Sequence, residues 1–379
     1  MVNRDGRSCK RSKKKCTRKH KKIKPIRRDG YTTKEALQTI DLSYIDEITR
    51  KNKGRKGFHT SCLIKAMLLM YIRGMDSLLE LERFLRVHKE WLYFLNLKRN
   101  VKGKIEYVVP DRTTYDKLIK RLGIDGMTEI FTLLVIQMIE KGIIKGNILS
   151  VDATIIEAWF KNKDKGKNGK RRKSRDRDAS LGYDSYRELF VYGYKIHVVI
   201  DIKSGLPICI SVTKAGYGES RTLRPFVGII QDRYPVDVEK FLADSGYDGN
   251  LNRLDIIKML EAIPYICLNP RNCKGDTLEE KIARRKKLCE KFYKRERVHE
   301  YWADPDVDSF GKTMKSRTLS EQTFSLMRDS LNIDQFKHRG IVWATAHALL
   351  TGMSMLVVAN AAVTVDRPDL MRCIKCFRL

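Results

Sequence analysis

The chain has 379 residues, with 76 Lys+Arg against 46 Asp+Glu, a formal charge of +30 and a sequence pI near 9.8. Hydrophobic residues at 42% and aromatics at 9% are enough for a sizeable core and exclude general disorder, while only 9 Pro and 24 Gly exclude a collagen-like or linker-dominated chain. So large a basic excess excludes an ordinary cytosolic metabolic enzyme and points to a polyanionic partner, either nucleic acid or an anionic membrane surface.

In chain order, residues 1–56 read as a basic, largely disordered arm. Its first 30 residues hold 14 Lys or Arg against two acids, with Lys13, Lys14 and Lys15 at the densest point, a pattern suited to phosphate contact. From 57 to 145 apolar residues recur at three- and four-residue spacing (Leu63, Ala66, Met67, Met70; Leu78, Leu81, Leu85; Leu118, Leu122, Ile130, Leu134, Met138), which predicts a small helical domain. Ser77 followed by Glu80 reads as a capping box, and Pro110 to Thr114 as a turn leading into a helix from Tyr115 to Leu122. Short helices around such turns suit a helix-turn-helix DNA reader, and equally any small helical bundle.

From 146 to 365 the period changes. Ile148 to Asp152 is a short apolar strand, and Tyr194 to Asp201 and Leu206 to Thr213 alternate about a hairpin turn at 202–205. A helical stretch from Ser220 to Arg233, a strand at Lys240 to Asp244, a helix at Leu251 to Glu261 and a strand at Pro264 to Leu268 follow. Three strands, helix, strand, helix, strand is the order of an RNase H-like domain, so the predicted fold class is α/β with a mixed sheet, preceded by the helical DNA-binding domain. Two basic insertions interrupt it. Residues 161–178, with Arg171, Arg172 and Lys173, carry ten Lys or Arg against three Asp and read as a mobile loop; residues 271–300 carry eleven against six acids and read as a charged helical excursion.

Residues 341–365 contain no formally charged residue, which raises a membrane span. His347, Thr345, Thr351, Ser354 and Asn360, with small residues at close spacing, favour a packed core helix instead. A tail, 366–379, closes the chain. The nine cysteines are scattered and read as reduced thiols of a cytosolic protein; the one tight pair, Cys373 and Cys376, lacks partners for a zinc site.

Three acids could carry chemistry. Asp152 and Asp244 each end an apolar strand, where an unpaired carboxylate is costly, and neighbouring strands would bring them together. Glu321 opens an amphipathic helix with Phe324 and Met327. Three carboxylates from separate elements make a hard-oxygen site for Mg²⁺, and two such ions would serve an in-line displacement at phosphorus. Among competing acids, Asp201 precedes the hairpin and reads as a turn former, and Asp248 as a helix cap. His197 reads as a satisfied core group, Lys195 and His338 as DNA contacts, and Trp159 as either a base-stacking or a core residue.

These residues resemble the DDE transposases of bacterial insertion sequences from about residue 54 to 360. The likeness is carried by V-P-D-R-T-T-Y, L-S-V-D-A-T, G-Y-K-I-H-V-V-I-D-I-K-S-G-L-P, L-A-D-S-G-Y-D and F-K-H-R-G-I-V-W-A-T-A-H-A-L-L. It implies that Asp152, Asp244 and Glu321 are catalytic and bind two Mg²⁺, for which Mn²⁺ can substitute, to cut DNA and join its 3′ end to a target. It also implies terminal inverted repeats and target DNA as partners, a homodimer in the DNA complex, no membrane, and a cytoplasmic, nucleoid-associated protein. Many members surround the Glu with Tyr, Arg and Lys; here Arg317 fills the Arg position, Arg328 replaces the Lys and Met314 the Tyr. An inactive, domesticated DNA-binding protein and a nuclease without strand transfer remain the alternatives.

Overall fold

The computed structural model describes residues 32–49, 57–101, 103–159, 176–184, 187–271 and 273–378. Lys13, Lys14, Lys15, Arg171, Arg172 and Lys173 lie outside them. Residues from Tyr31 to Leu379 belong to one unit.

Within 1–56, read from the sequence as a largely disordered arm, the described residues 32–49 carry two helices. Thr32 opens α1 (Thr33–Gln38) with a capping box, its hydroxyl accepting from the Glu35 N–H while the Glu35 carboxylate accepts from the Thr32 N–H. With α2 (Ser43–Thr49) it buries Ala36, Leu37, Ile40, Leu42 and Ile45. The cap and this apolar spacing are local signals that the flanking charge masks. Helices α3 (Thr60–Arg73), α4 (Leu78–Val87) and α5 (Glu90–Phe94) follow, then a hairpin of β1 (Lys98–Val101) and β2 (Lys104–Tyr107). Ser77 caps α4 by accepting from the Glu80 N–H, and Asp111 caps α6 (Arg112–Glu140) by accepting from the Thr114 N–H at 2.8 Å. Gly123, at φ 64 and ψ −164, breaks the helical backbone of α6 into two segments, the first ending at Leu122, where the sequence reading ends its helix.

The sheet comprises β3 (Ile148–Glu157), β4 (Ser180–Asp184), β5 (Leu189–Asp201), β6 (Leu206–Lys214), β7 (Lys240–Ala243) and β8 (Ile263–Ile266), with α7 (Leu223–Arg233) before β7 and α8 (Asn250–Leu260) after it. β5 pairs antiparallel with β3, β4 and β6, whereas β3, β7 and β8 are parallel neighbours. The run β6-β5-β3-β7-β8 is therefore an antiparallel trio continued by two parallel strands. This is an RNase H-like mixed sheet after an N-terminal helical region. β4 escapes the sequence pattern because it is short and follows directly on the basic insertion.

The last helices are α9 (Leu278–Arg295), α10 (Asp308–Lys315), α11 (Thr318–Leu331) and α12 (Ile341–Thr364). α12 packs against α3, α6 and β6. Its most apolar window is 89% buried. Gly352 lets it approach closely, since a Cβ there would stand 2.5 Å from Ile210 Cδ1 and 3.0 Å from Phe131. Most of its polar groups find partners: His347 Nδ1 lies 2.5 Å from the Tyr71 hydroxyl and Nε2 2.9 Å from the Ile333 carbonyl, while Asn360 donates to the Thr39 carbonyl. The C-terminal tail is also built in. Ile374 and Phe377 are buried, and Phe377 accepts at its carbonyl from the Thr33 hydroxyl. Cys373 and Cys376 form a disulfide with Cα atoms 5.4 Å apart, which corrects the reading of all nine cysteines as free thiols.

Candidate active site

Strand register places the first two acids. Ser150 of β3 and Leu242 of β7 are partners in the parallel ladder, so two residues further along each chain Asp152 and Asp244 stand side by side on one face of the sheet. β7 ends at Ala243 while β3 runs on to Glu157. Beyond Asp244 this edge of β3 has no paired strand among the described residues, and the chain turns sharply through Ser245–Tyr247, with the Asp244 carboxylate accepting from the Gly246 N–H at 2.9 Å.

The third element crossing this face is α11. The Ser320 hydroxyl donates to that of Ser150 at 3.0 Å, and Arg328 donates to the Thr154 hydroxyl, so the helix lies along alternate residues of β3 on either side of Asp152. Arg317, at the helix N-cap, brings Nη2 to 3.5 Å from Asp152 Oδ2. Its Nε is buried and makes no hydrogen bond among the described residues. By the helical period Arg317, Glu321 and Arg328 share one flank of α11. Glu321 is exposed on that flank. It is not gathered onto the aspartates, and no group of three His, Cys, Asp or Glu side chains close enough to hold a metal ion occurs among the described residues.

The carboxylate that does reach the aspartates is one the sequence reading passed over. Glu219 opens the short 3₁₀ turn Glu219–Thr222 after β6 and accepts from Lys195 Nζ at 2.8 Å. A Cβ on Gly246 would lie 2.1 Å from Glu219 Oε2 and 3.0 Å from Asp244 Oδ1, so only glycine leaves room for the two carboxylates to approach over this turn. The one sequence cue was an acid opening a helical stretch directly after the third strand. Its passage across to Asp244 is a tertiary event.

Burial raises the Asp152 carboxyl to about 6, with Arg317 opposing and the charges of Asp244 and Glu219 adding. Burial, then Glu219, raises Asp244 as well. Asp152 and Asp244 would hold a divalent cation that relieved this repulsion, and the oxygen-only donor set fits Mg²⁺ or Mn²⁺.

Several residues expected at DNA are engaged inside the protein. The Lys195 side chain is 13% exposed and paired with Glu219. His338 stacks on Trp343 at 3.8 Å, and burial lowers its pKa to about 4, so it is a neutral packing group. Arg328 also pairs with Asp334 at 3.5 Å. Met314 packs against Leu242, Tyr265 and Phe310. His197 is fully buried between the Thr213 and Tyr247 hydroxyls. Asp201 accepts from the Gly146 and Ser204 N–H groups. Asp248 is buried against Arg253 and Arg285 at 2.9 and 2.8 Å and so anchors structure rather than chemistry.

A Transposase DDE domain family model matches residues 144–357, which is more than half of the chain and contains both aspartates and Glu321. The chain belongs to the DDE transposase domain family. The helical region of this transposase matches a second model, Transposase domain (DUF772), over residues 23–121. No curated protein matches it. Among solved structures it is similar to a piggyBac transposase synaptic complex with hairpin DNA, at 12% identity and a TM-score of 0.42, covering 92% of this chain and 80% of that one.

Proposed function

We propose that the chain is a DNA transposase that binds the ends of an insertion sequence, cuts a DNA strand and joins the freed 3′ end to a target. The observation that carries this reading is the side-by-side placement of Asp152 and Asp244 on adjacent parallel strands, with Arg317 at Asp152. In this reading the two aspartates hold the divalent ions, and Glu321 comes onto them from the Arg317–Arg328 flank of α11 when DNA is bound. Bound Mg²⁺ or Mn²⁺ would lower the pKa of the attacking water or 3′-hydroxyl and neutralise the leaving oxygen. Arg317, 3.5 Å from Asp152, supplies positive charge there and would be available to a substrate phosphate once a bound divalent ion neutralised that carboxylate. Arg328 holds a second phosphate beside Thr154.

The protein would act as a homodimer that brings two ends together, at the nucleoid in the cytoplasm, with residues 57–145 reading element ends and the basic arm and loop, including Lys13–Lys15 and Arg171–Lys173, lying along phosphates. The test is incubation with Mg²⁺, a target plasmid and duplexes taken from the DNA flanking the gene. Joined products support transposition. Cut but never joined ends would make the protein a nuclease. A DNA-binding protein without catalysis is the second reading, favoured by Met314 and by Glu321 standing off the aspartates; salt-sensitive binding without any cutting would establish it.

A further inference from the structure

Glu219 has no part in the three-acid pattern, yet it is fixed more firmly than Glu321. Lys195 holds one carboxylate oxygen from β5, and the other rests over Gly246, where a side chain of any size would displace it. The Glu219 and Asp244 oxygens flank the same point, so they are separated by at most the sum of their two distances from it. Despite this proximity, the acids do not converge as a direct set of three ligands. A carboxylate held just outside ligation distance of a hydrated ion can accept hydrogen bonds from the waters that the ion retains, and Mg²⁺ retains several.

We propose that Glu219, clamped by Lys195 against Gly246, is a positioning residue for the divalent ion of the Asp152–Asp244 pair, acting by accepting hydrogen bonds from that ion's waters. The inference rests on the reading of those two aspartates as the metal-holding pair. It assigns Lys195 a role inside the site as the group that fixes Glu219. It also distinguishes two kinds of ligand loss. Losing a direct ligand weakens every divalent ion, whereas losing an acceptor for bound water weakens most the ion that surrenders its waters least readily, Mg²⁺ more than Mn²⁺.

The test is calorimetric titration of the full chain with MgCl₂ and, separately, MnCl₂, without DNA, using Asp152→Asn, Asp244→Asn, Glu219→Gln and Glu219→Asp. Glu219→Gln should weaken Mg²⁺ binding by roughly tenfold or more and Mn²⁺ binding less. Glu219→Asp, which keeps the charge but withdraws it from the site, should lie between Gln and wild type. Both Asp→Asn variants should lose both ions. Wild-type Mg²⁺ affinity in Glu219→Gln, alongside loss in the two Asp variants, would overturn the inference and leave the aspartate pair standing. Equal weakening of both ions together with a lowered metal-free melting temperature would also overturn it, by showing a structural role. Wild-type affinity in the Asp variants would instead overturn the pair itself. Should Glu219→Gln fail to fold, the Asp variant decides, and unchanged Mg²⁺ binding there counts against the inference.

Discussion

Asp152 sits in a conflict that its strand position creates: burial raises its carboxyl to about 6, and Arg317 offsets only part of the effect. The folded state therefore holds this proton more tightly than the unfolded chain. The resulting destabilisation is absent below the unfolded carboxylate range, grows as pH rises from 3.8 toward 6, and is complete above it. At about 1.4 kcal/mol per pH unit this amounts to up to about 3 kcal/mol. Asp152→Asn should accordingly melt at a higher temperature than wild type at pH 7.5 in EDTA and at about the same temperature at pH 4. A lower melting temperature at pH 7.5 would mean that the Arg317 pairing outweighs burial. Asp248 is the opposite case. It is fully buried with Arg253 and Arg285, and those partners hold its pKa below the usual range against the effect of burial. Asp248→Asn leaves the buried Arg253 with a weakened partner, and urea unfolding should show a loss on the order of 3 kcal/mol, approaching 5 for Asp248→Ala. Asp152 and Asp244 were legible in the sequence because an acid at the exit of an apolar strand needs a reason. Glu219 was not, since nothing local to G-Y-G-E-S-R says which loop it faces.

At the scale of elements, α12 and α11 show how far pattern reading reaches. The uncharged stretch 341–365 could be read as a core helix from its scattered polar residues, and the structure gives most of them carbonyl or hydroxyl partners. The close approach at Gly352 was not readable, because it depends on Ile210 and Phe131 arriving from β6 and α6. Gly352→Val should overpack this contact and cost about 1–3 kcal/mol in urea unfolding. Burial lowers His347 to about 4 and His197 to about 3, so each stays neutral in the fold while the unfolded chain takes up protons. Their contribution to stability is complete above the ordinary histidine pKa of 6.5 and is lost as pH falls from there toward 4. A pH series of melting temperatures should therefore fall through that window, and His347→Gln should flatten the slope. For α11, helical amphipathicity predicted the element, but the amphipathic pattern does not fix how far Glu321 stands from β3.

For the whole molecule, the 76 Lys and Arg are divided between two uses. Lys195, Arg253, Arg285 and Arg317 neutralise acids within the fold. The remaining excess is available to DNA, so affinity for duplex should fall steeply with salt, and charge reversal at Lys13, Lys14 and Lys15 should flatten that dependence. The order of strands indicated the sheet type from sequence alone, whereas α1 and α2 were missed because the charge around them masks their cap and apolar spacing, and the tail because its burial depends on partners distant in the chain. The proposed metal-dependent cut at phosphorus by Asp152 and Asp244 is open to test by single-turnover cleavage of an end-bearing duplex in Mg²⁺. Wild type should cleave the strand in Mg²⁺ and not in EDTA, and Asp152→Ala and Asp244→Ala should not cleave even though both still bind the duplex; undiminished cleavage by either variant would rule the aspartate pair out as the seat of the cut.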